Sequence, residues 1–252
     1  MSRLDSFASG MNWHERYTQQ ARWTRDLRTY LFDKAGLKKA RSVLEVGCGT
    51  GAILSEIETP ASLHGLDLAL AALAEARIHA PRVSLANADA CSLPYADFTF
   101  DITFCHFLLL WVRDPLSAVR EMARVTRPHG HVLALAEPDY SARVDKPDSL
   151  APLGGWQAEA LRRQGADPSF GAHLADTFAR AGIEVIETGT IQRSGNEPSH
   201  EEQENEWAVL DADLAASVPG EDIQKMKLLD EQAWARGERV LFVPTYFVWG
   251  RV

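Results

Sequence analysis

Three carboxylates stand where short apolar runs give out, and the first of them leads into a glycine-rich loop. VLEVGCGTGA places Glu45 just ahead of Gly47, with Gly49, Gly51 and Ala52 following. Glycines at this spacing let a strand turn sharply while the backbone comes close to a ligand. Gly47, Gly49 and Ala52 also satisfy the G-x-G-x-x-G/A pattern of dinucleotide sites. A carboxylate at Glu45, however, would repel a pyrophosphate and suits a cationic ligand or N–H donors. Asp67 ends the next run, SLHGLDL, the position from which a carboxylate accepts ribose hydroxyls. Asp89, in NADA after a third run, offers an acceptor for the exocyclic amine of an adenine. Singly, each is an ordinary acid at the start of a loop. Together they describe a site for an adenosine with a positively charged amino-acid tail.

The elements that must position these residues follow from the pattern. SVLEVG, SLHGLDL, RVSLANAD, TFDITFCH and HVLALAEP read as buried strands. Between them lie predicted helices at 51–58, at 70–79 (stopped by Pro81) and at 115–125, where Leu116, Val119, Met122 and Ala123 share one face. Strands alternating with helices imply parallel βαβ units and a doubly wound α/β sheet. Residues 13–34 read as helical and aromatic, with Trp13, Tyr17, Trp23 and Tyr30.

After Pro138 the rhythm changes: DYSARVDKPDSLAPLGG reads as a loop, followed by a helix at 156–164. FGAHLADTFARAGIEVIETGTI reads as helix then strand, with Gly182 a natural helix stop. SGNEPSHEEQENE is a polar, acidic insertion leading into helices up to about Arg236. The acids Glu201, Glu202, Glu204 and Glu206 are expected on a solvated helix face. RVLFVPTYFVWGRV closes the chain as a long strand in which Pro244 marks an edge or bulge. One domain with helical additions fits this order better than two.

The chain has 252 residues, 46% hydrophobic and 24% charged, the balance of a globular protein with a substantial core. A net charge of −9 and a pI near 5.4 argue against general affinity for nucleic acid or an anionic membrane. Cys48, Cys91 and Cys105 are scattered, odd in number and without metal-ligand spacing, so no disulfide framework or metal site is expected. The first residues lack an apolar signal region and no run is long enough to span a bilayer, which points to a cytoplasmic protein.

The order of motifs resembles the class I S-adenosylmethionine-dependent methyltransferases, in particular the small-molecule branch of ubiquinone and menaquinone biosynthesis. The resemblance runs from about Ser42 to Glu137. VLEVGCGTG matches the family's glycine motif. LDLALAALAEAR resembles its D-x-S-x-x-x-L-x-x-A segment, with Ala69 in place of the serine. NADACSLPYADFTFD resembles D-A-x-x-L-P-F-x-x-x-S-F-D, and EMARVTRPHGH resembles E-x-x-R-V-L-K-P-G-G. His129 stands where the first glycine of that turn is usual, so a locally altered turn with positive φ is expected there.

The resemblance implies a Rossmann-like sheet of seven mostly parallel strands with helices on both faces, the last strand antiparallel and supplied by 239–252. It implies a cofactor-binding core at 42–137, an N-terminal lid at 1–40 and substrate-side insertions at 138–170 and 195–237. It implies S-adenosylmethionine as cofactor and S-adenosylhomocysteine as product. Carried over by motif, Glu45 meets the methionine amino group, and Gly47, Gly49 and Gly51 form the floor. Asp67 binds the ribose diol, Leu68 flanks the adenine, Asp89 and Ala90 read its edge, and Cys105 lies beside the methionine moiety.

Methyl transfer from a sulfonium is an in-line displacement, so the protein chiefly aligns the partners and excludes water. His106, directly after the fourth strand, is the candidate general base, although a packed or loop-capping histidine explains it equally. Trp111, Glu137 and Tyr140 are candidates for orienting substrate. Tyr17 and Trp23 are candidates for covering the cofactor, with Arg28 meeting its carboxylate. The helical stretch 207–234 suits a partly apolar pocket or a dimer contact, and a monomer or homodimer is expected. The reading is thus a methyltransferase acting on a small organic acceptor through oxygen, nitrogen or carbon. A nicotinamide-dependent oxidoreductase and a non-catalytic S-adenosylmethionine-binding interaction protein stand as the alternatives.

Overall fold

The five apolar runs become strands β1 (Ser42–Val46), β2 (Ser62–Asp67), β3 (Ser84–Asn87), β4 (Phe100–Cys105) and β5 (Thr126–Pro138), each pairing in parallel with its neighbours among the five. The structure is a computed structural model that describes residues 12–191 and 198–252. Four further strands are β6 (Val144–Lys146), β7 (Glu184–Thr190), β8 (Val240–Phe242) and β9 (Thr245–Arg251). β7 and β9 complete a seven-stranded sheet in the order β3-β2-β1-β4-β5-β9-β7, with β9 antiparallel to both neighbours.

Successive strand residues face opposite sides of a sheet, and that parity sorts the core, except at Phe100, which a register shift between Phe100 and Ile102 moves to the other face. Leu44, Val46, Phe100, Val132 and Ala134 lie in one buried cluster, joined by Ala118, Val119 and Met122 of α4 (Pro115–Val125) and by Leu174 and Phe178 of α6 (Leu174–Arg180). Val43, Ile102, Phe104, Leu133 and Leu135 lie in the other, with Leu31 and Phe32 of α2 (Arg25–Lys34) and Leu73 of α3 (Leu70–His79). Helices therefore cover both faces. The strand order reverses at β1, with β2 on one side and β4 on the other, which opens a crevice beyond the carboxyl ends of these strands.

A further cluster of Leu150, Leu153, Trp207, Leu210, Leu214 and Ile223 unites α5 (Pro152–Arg163), α7 (His200–Leu214) and α8 (Gly220–Ala235). The remaining helix, α1 (Trp13–Trp23), precedes α2 and is capped by the Asn12 side chain on the Glu15 amide.

The structure departs from the sequence reading in four places. The helix expected at 51–58 is a single 3-10 turn, Leu54–Glu56. Pro60 biases its predecessor toward extended backbone, and the few residues left cannot offset the cost of nucleating a longer helix. The loop expected after Pro138 contains β6, which pairs antiparallel with β8. The closing strand is broken at Val243–Pro244 into β8 and β9, because proline cannot donate to a ladder and β9 is an interior strand. The acidic face of α7 is solvated only in part: Glu201 and Glu204 are exposed, whereas Glu206 turns inward to Arg16 at 3.0 Å. His129 does take a positive φ, 65°, with its amide on the Val252 carbonyl. Residues 195–197 of the predicted insertion 195–237 lie outside the described residues.

Candidate active site

Beyond the ends of β1, β2 and β4 lies a cavity of about 390 Å³. Its wall begins with the glycine loop, where Gly47 and Gly49 have φ of 74° and 51°. A β-carbon on Gly49 would sit 2.9 Å from Cε2 of Tyr17, so glycine is needed both for the turn and for the ring of α1 that lies over it. Asp67 braces the loop: one carboxylate oxygen accepts the Gly49 amide at 2.8 Å and the other the Ala69 amide at 2.8 Å. Asp89 accepts the Cys91 amide at 2.8 Å and also lines the cavity, beside Ala90. Leu68, 56% exposed, lies on the rim between the two acids.

Glu45 is the least compensated group here. It is 3% exposed, it lines the cavity, and its Oε2 has no hydrogen-bond partner. Burial pushes its carboxyl well above the usual range; Arg28 opposes that rise and Asp67 adds to it. A buried acid of this kind gains from any cation that enters the cavity.

Gly47, Gly49, Glu45, Asp67, Leu68, Asp89, Ala90, Tyr17, His106 and Trp111 are thus brought to one cavity. The structure places the other candidates outside this cavity. Gly51 faces α3, where an added β-carbon would meet Ala80 and Ala76 at 3.2 and 3.4 Å. Arg28 lines no cavity; it is 4% exposed and donates to Ala21 O and to Glu56 at 2.8 and 2.9 Å, which commits its guanidinium to joining α2 to the 54–56 turn. Trp23 packs under the Arg16 guanidinium, 5.2 Å from its ring centroid, away from the first cavity. Cys105 is fully buried with its thiol toward Glu137.

Glu137 is buried completely and faces neither cavity. Its carboxylate accepts the amides of Leu108, Leu109 and Leu110 at 3.0, 3.1 and 3.3 Å, so it anchors a loop instead of touching a ligand. Burial raises its pKa to about 7, with the three amides acting against that rise. The grip bears on Phe107, whose φ of 52° is unfavourable for a bulky residue and whose amide is fixed to Ala136 O at 2.8 Å.

Phe107 also lines a second, smaller cavity of about 150 Å³, walled by α1, β8 and the helices α7 and α8. Tyr140 and Trp23 belong to this one. Sequence reasoning missed its charged framework. Arg143 meets Asp145 through two hydrogen bonds of 2.8 and 3.0 Å, and Arg239 donates to Asp145 at 2.6 Å and also to Asp230. Trp207 Nε1 donates to Asp230 at 2.8 Å. The Arg239–Asp145 contact joins residues 94 positions apart, and no local pattern announces it.

His106 stands at the boundary between the two cavities. It lines the first, and its Nε2 is 3.0 Å from Oγ1 of Thr24, which lines the second. Burial, and then the Arg28 charge, lower its pKa well below the ordinary range, so the ring is neutral at pH 7.

Among the described residues no group of three or more His, Cys, Asp or Glu could hold a metal, and no helix is long and apolar enough to cross a membrane. Residues 44–134 match the family described as a methyltransferase domain. The chain is 35% identical over 127 residues to a malonyl-(acyl-carrier protein) O-methyltransferase of Halorhodospira halophila, covering 47% of this chain and 43% of that protein. It is 36% identical over 112 residues to a demethylmenaquinone methyltransferase of Renibacterium salmoninarum, covering 44% and 47%. The matched region is thus about half the length of these relatives or less. Among solved structures, a geranyl diphosphate methyltransferase aligns with a TM-score of 0.58 at 12% identity, over 90% of this chain and 77% of that one. The (4+2)-cyclase SpnF aligns at 0.55 and 21% identity, over 90% and 79%. These two are likenesses of fold, and they show that the fold serves more than one reaction. The glycine motif, the acids at the strand ends and the 3-2-1-4-5 order of parallel strands all fall in the region, residues 44–134, whose sequence matches the methyltransferase domain family.

Proposed function

We propose that the protein transfers a methyl group from S-adenosylmethionine to a small organic acceptor. The observation that carries this is the unpartnered, buried oxygen of Glu45 in the larger cavity, beside a glycine loop braced by Asp67. A cationic amino group satisfies that oxygen, whereas a pyrophosphate would leave it repelled and unpaired. The residues present therefore fit S-adenosylmethionine and argue against a dinucleotide.

Glu45 would take the amino group of the methionine part and Asp67 the ribose hydroxyls. Asp89 would accept from the adenine amine, with Leu68 and Ala90 against the ring. Gly47 and Gly49 let the backbone approach, and Tyr17 covers the loop from α1. When bound, the cofactor supplies a methyl group already activated for displacement. What the chain contributes is alignment, exclusion of water by α1, and a neutral His106 at the boundary where an acceptor would enter. The three cysteines are free thiols, which favours a reducing compartment such as the cytoplasm.

Calorimetry with S-adenosylhomocysteine and with NAD tests the reading. S-adenosylhomocysteine is expected to bind and NAD not to. Asp67→Ala is expected to weaken binding by about 1–3 kcal/mol, the worth of hydrogen bonds to a charged acceptor. Tight NAD binding without S-adenosylhomocysteine binding would overturn the assignment.

A further inference from the structure

The second cavity has two properties that select a ligand. Its wall carries six aromatic side chains, Trp23, Phe107, Tyr140, Trp207, Trp234 and Phe242. Its arginines are all committed. Arg16 pairs with Glu206 at 3.0 Å, Arg143 with Asp145 at 2.8 Å, and Arg239 with both Asp145 and Asp230. Three guanidinium groups thus meet three carboxylates, two of the arginines at 2% side-chain exposure or less. An anionic ligand would have to break one of these pairs and strand a buried carboxylate, at a cost of several kcal/mol. An uncharged aromatic molecule pays no such penalty and stacks on the walls.

The boundary with the larger cavity supplies the chemistry. Oγ1 of Thr24 lies 3.2 Å from Ala21 O, 3.2 Å from Nε of Arg28 and 3.0 Å from Nε2 of His106. The carbonyl can only accept and the guanidinium can only donate. A hydroxyl has one proton and two lone pairs, so with its proton on Ala21 O it accepts from both Arg28 and His106. That arrangement places the imidazole proton on Nε2 and leaves the lone pair on Nδ1. Phe107, held at positive φ, lines both cavities at this point.

We propose that the second cavity binds the methyl acceptor as an uncharged aromatic molecule with a hydroxyl group, and that His106 takes the hydroxyl proton on Nδ1 while Thr24 fixes its tautomer. This rests on the methyltransferase reading above. The step balances as follows. The O–H bond breaks and its proton passes to Nδ1 of His106. The oxygen forms the new bond to the methyl carbon, and the electron pair of the carbon–sulfur bond returns to sulfur. A neutral ether, a neutral thioether and an imidazolium result, and the imidazolium then loses its proton to solvent. His106 is a catalytic residue in this scheme and Thr24 a positioning residue.

Three measurements on the full chain test the proposal. Calorimetry in the presence of S-adenosylhomocysteine compares phenol, 4-nitrophenol and 2-naphthol with benzoate, 4-nitrobenzoate and 2-naphthoate. Each phenol is expected to bind at least tenfold more tightly than its carboxylate counterpart. Val243→Trp, which fills the second cavity from the break between β8 and β9, is expected to abolish phenol binding while S-adenosylhomocysteine still binds. Nitrogen-15 spectra of the His106 ring are expected to show the Nε2–H tautomer in the native protein, a mixture in Thr24→Val, and the native state again in Thr24→Ser. His106→Gln is expected to slow turnover of whichever phenol is methylated by about 100-fold or more, with phenol affinity unchanged. If S-adenosylhomocysteine binds but the carboxylates bind as well as the phenols, or no phenol binds, or the ring proton lies on Nδ1, the proposal is wrong and the methyltransferase reading stands. If S-adenosylhomocysteine does not bind, both fall.

Discussion

Replacing Glu137 by glutamine separates two effects that the native carboxyl combines. Its oxygens satisfy the amides of Leu108, Leu109 and Leu110, and its burial disfavours the ionised form. The pKa of about 7 in the native protein, against an ordinary 4.5, corresponds to about 3 kcal/mol at ~1.4 kcal/mol per pH unit. The sign follows from linkage. Above the ordinary value the unfolded chain releases the proton while the native chain retains it. Stability is therefore full below pH 4.5 and is lost as pH rises toward 7. Glutamine keeps an acceptor for the amides and carries no titrating proton.

Urea denaturation of both proteins at several pH values reads the difference and cancels the other titrating groups. The native protein is expected to lose about 2–3 kcal/mol relative to Glu137→Gln between roughly pH 5 and pH 8. Glu137→Ala, by contrast, strips the acceptor from all three amides. At about 1–3 kcal/mol for each buried donor left unpaired, it is expected to cost about 3–5 kcal/mol at every pH. A difference between native protein and Glu137→Gln that stays constant with pH would refute the burial argument. A loss below about 1 kcal/mol in Glu137→Ala would refute the anchoring one.

Two further outcomes follow from the charged and aromatic contacts. Asp145→Asn leaves Arg143 and Arg239, both buried, facing one another with half their compensation. It is expected to cost about 3–5 kcal/mol in denaturant unfolding, and a loss under 1 kcal/mol would show that water compensates the pair. His14 of α1 stacks on His79 of α3 at 3.3 Å between ring centroids and 6° between planes, and its Nδ1 meets Thr50 Oγ1 at 2.9 Å. Burial and the neighbouring His79 lower its pKa, against the opposing pull of Glu75 and Glu15. Docking of α1 is therefore at full strength above the ordinary histidine value of 6.5 and weakens as pH falls below it. Amide exchange in α1, corrected for intrinsic rates, is expected to accelerate relative to α4 as pH is lowered from about 7.5 to 5.5. An unchanged ratio would show that the stack does not hold the helix.

Much of this was legible because it is local. Glu45, Gly47, Gly49, Asp67 and Asp89 could be assigned to one site because each sits at the carboxyl end of a strand, and the alternation of strands and helices places those ends on one edge. His129 could be expected at positive φ because it stands where the resemblance puts a glycine, and it adopts 65°. Gly51 misled because a glycine's role depends on which neighbour crowds its missing β-carbon, and here that neighbour is α3. Arg28 misled for a related reason. A guanidinium in an N-terminal segment that covers the cavity suits a carboxylate ligand, but here it pairs with Glu56 of the 54–56 turn.

The sequence by itself determined the order and kind of the sheet's elements and that the acids and glycines at the strand ends gather at one cavity, since both depend on short-range periodicity and on residues fixed relative to strand ends. Only the tertiary structure decided which cavity each candidate enters, that Glu137 grips a loop, that the arginines of the second cavity are all paired, and that Thr24 lies against Nε2 of His106. Those depend on contacts between segments up to 190 positions apart, such as Arg16 with Glu206. At such separations the partner is chosen by how packed elements converge, and neither residue's neighbours in the chain record the choice.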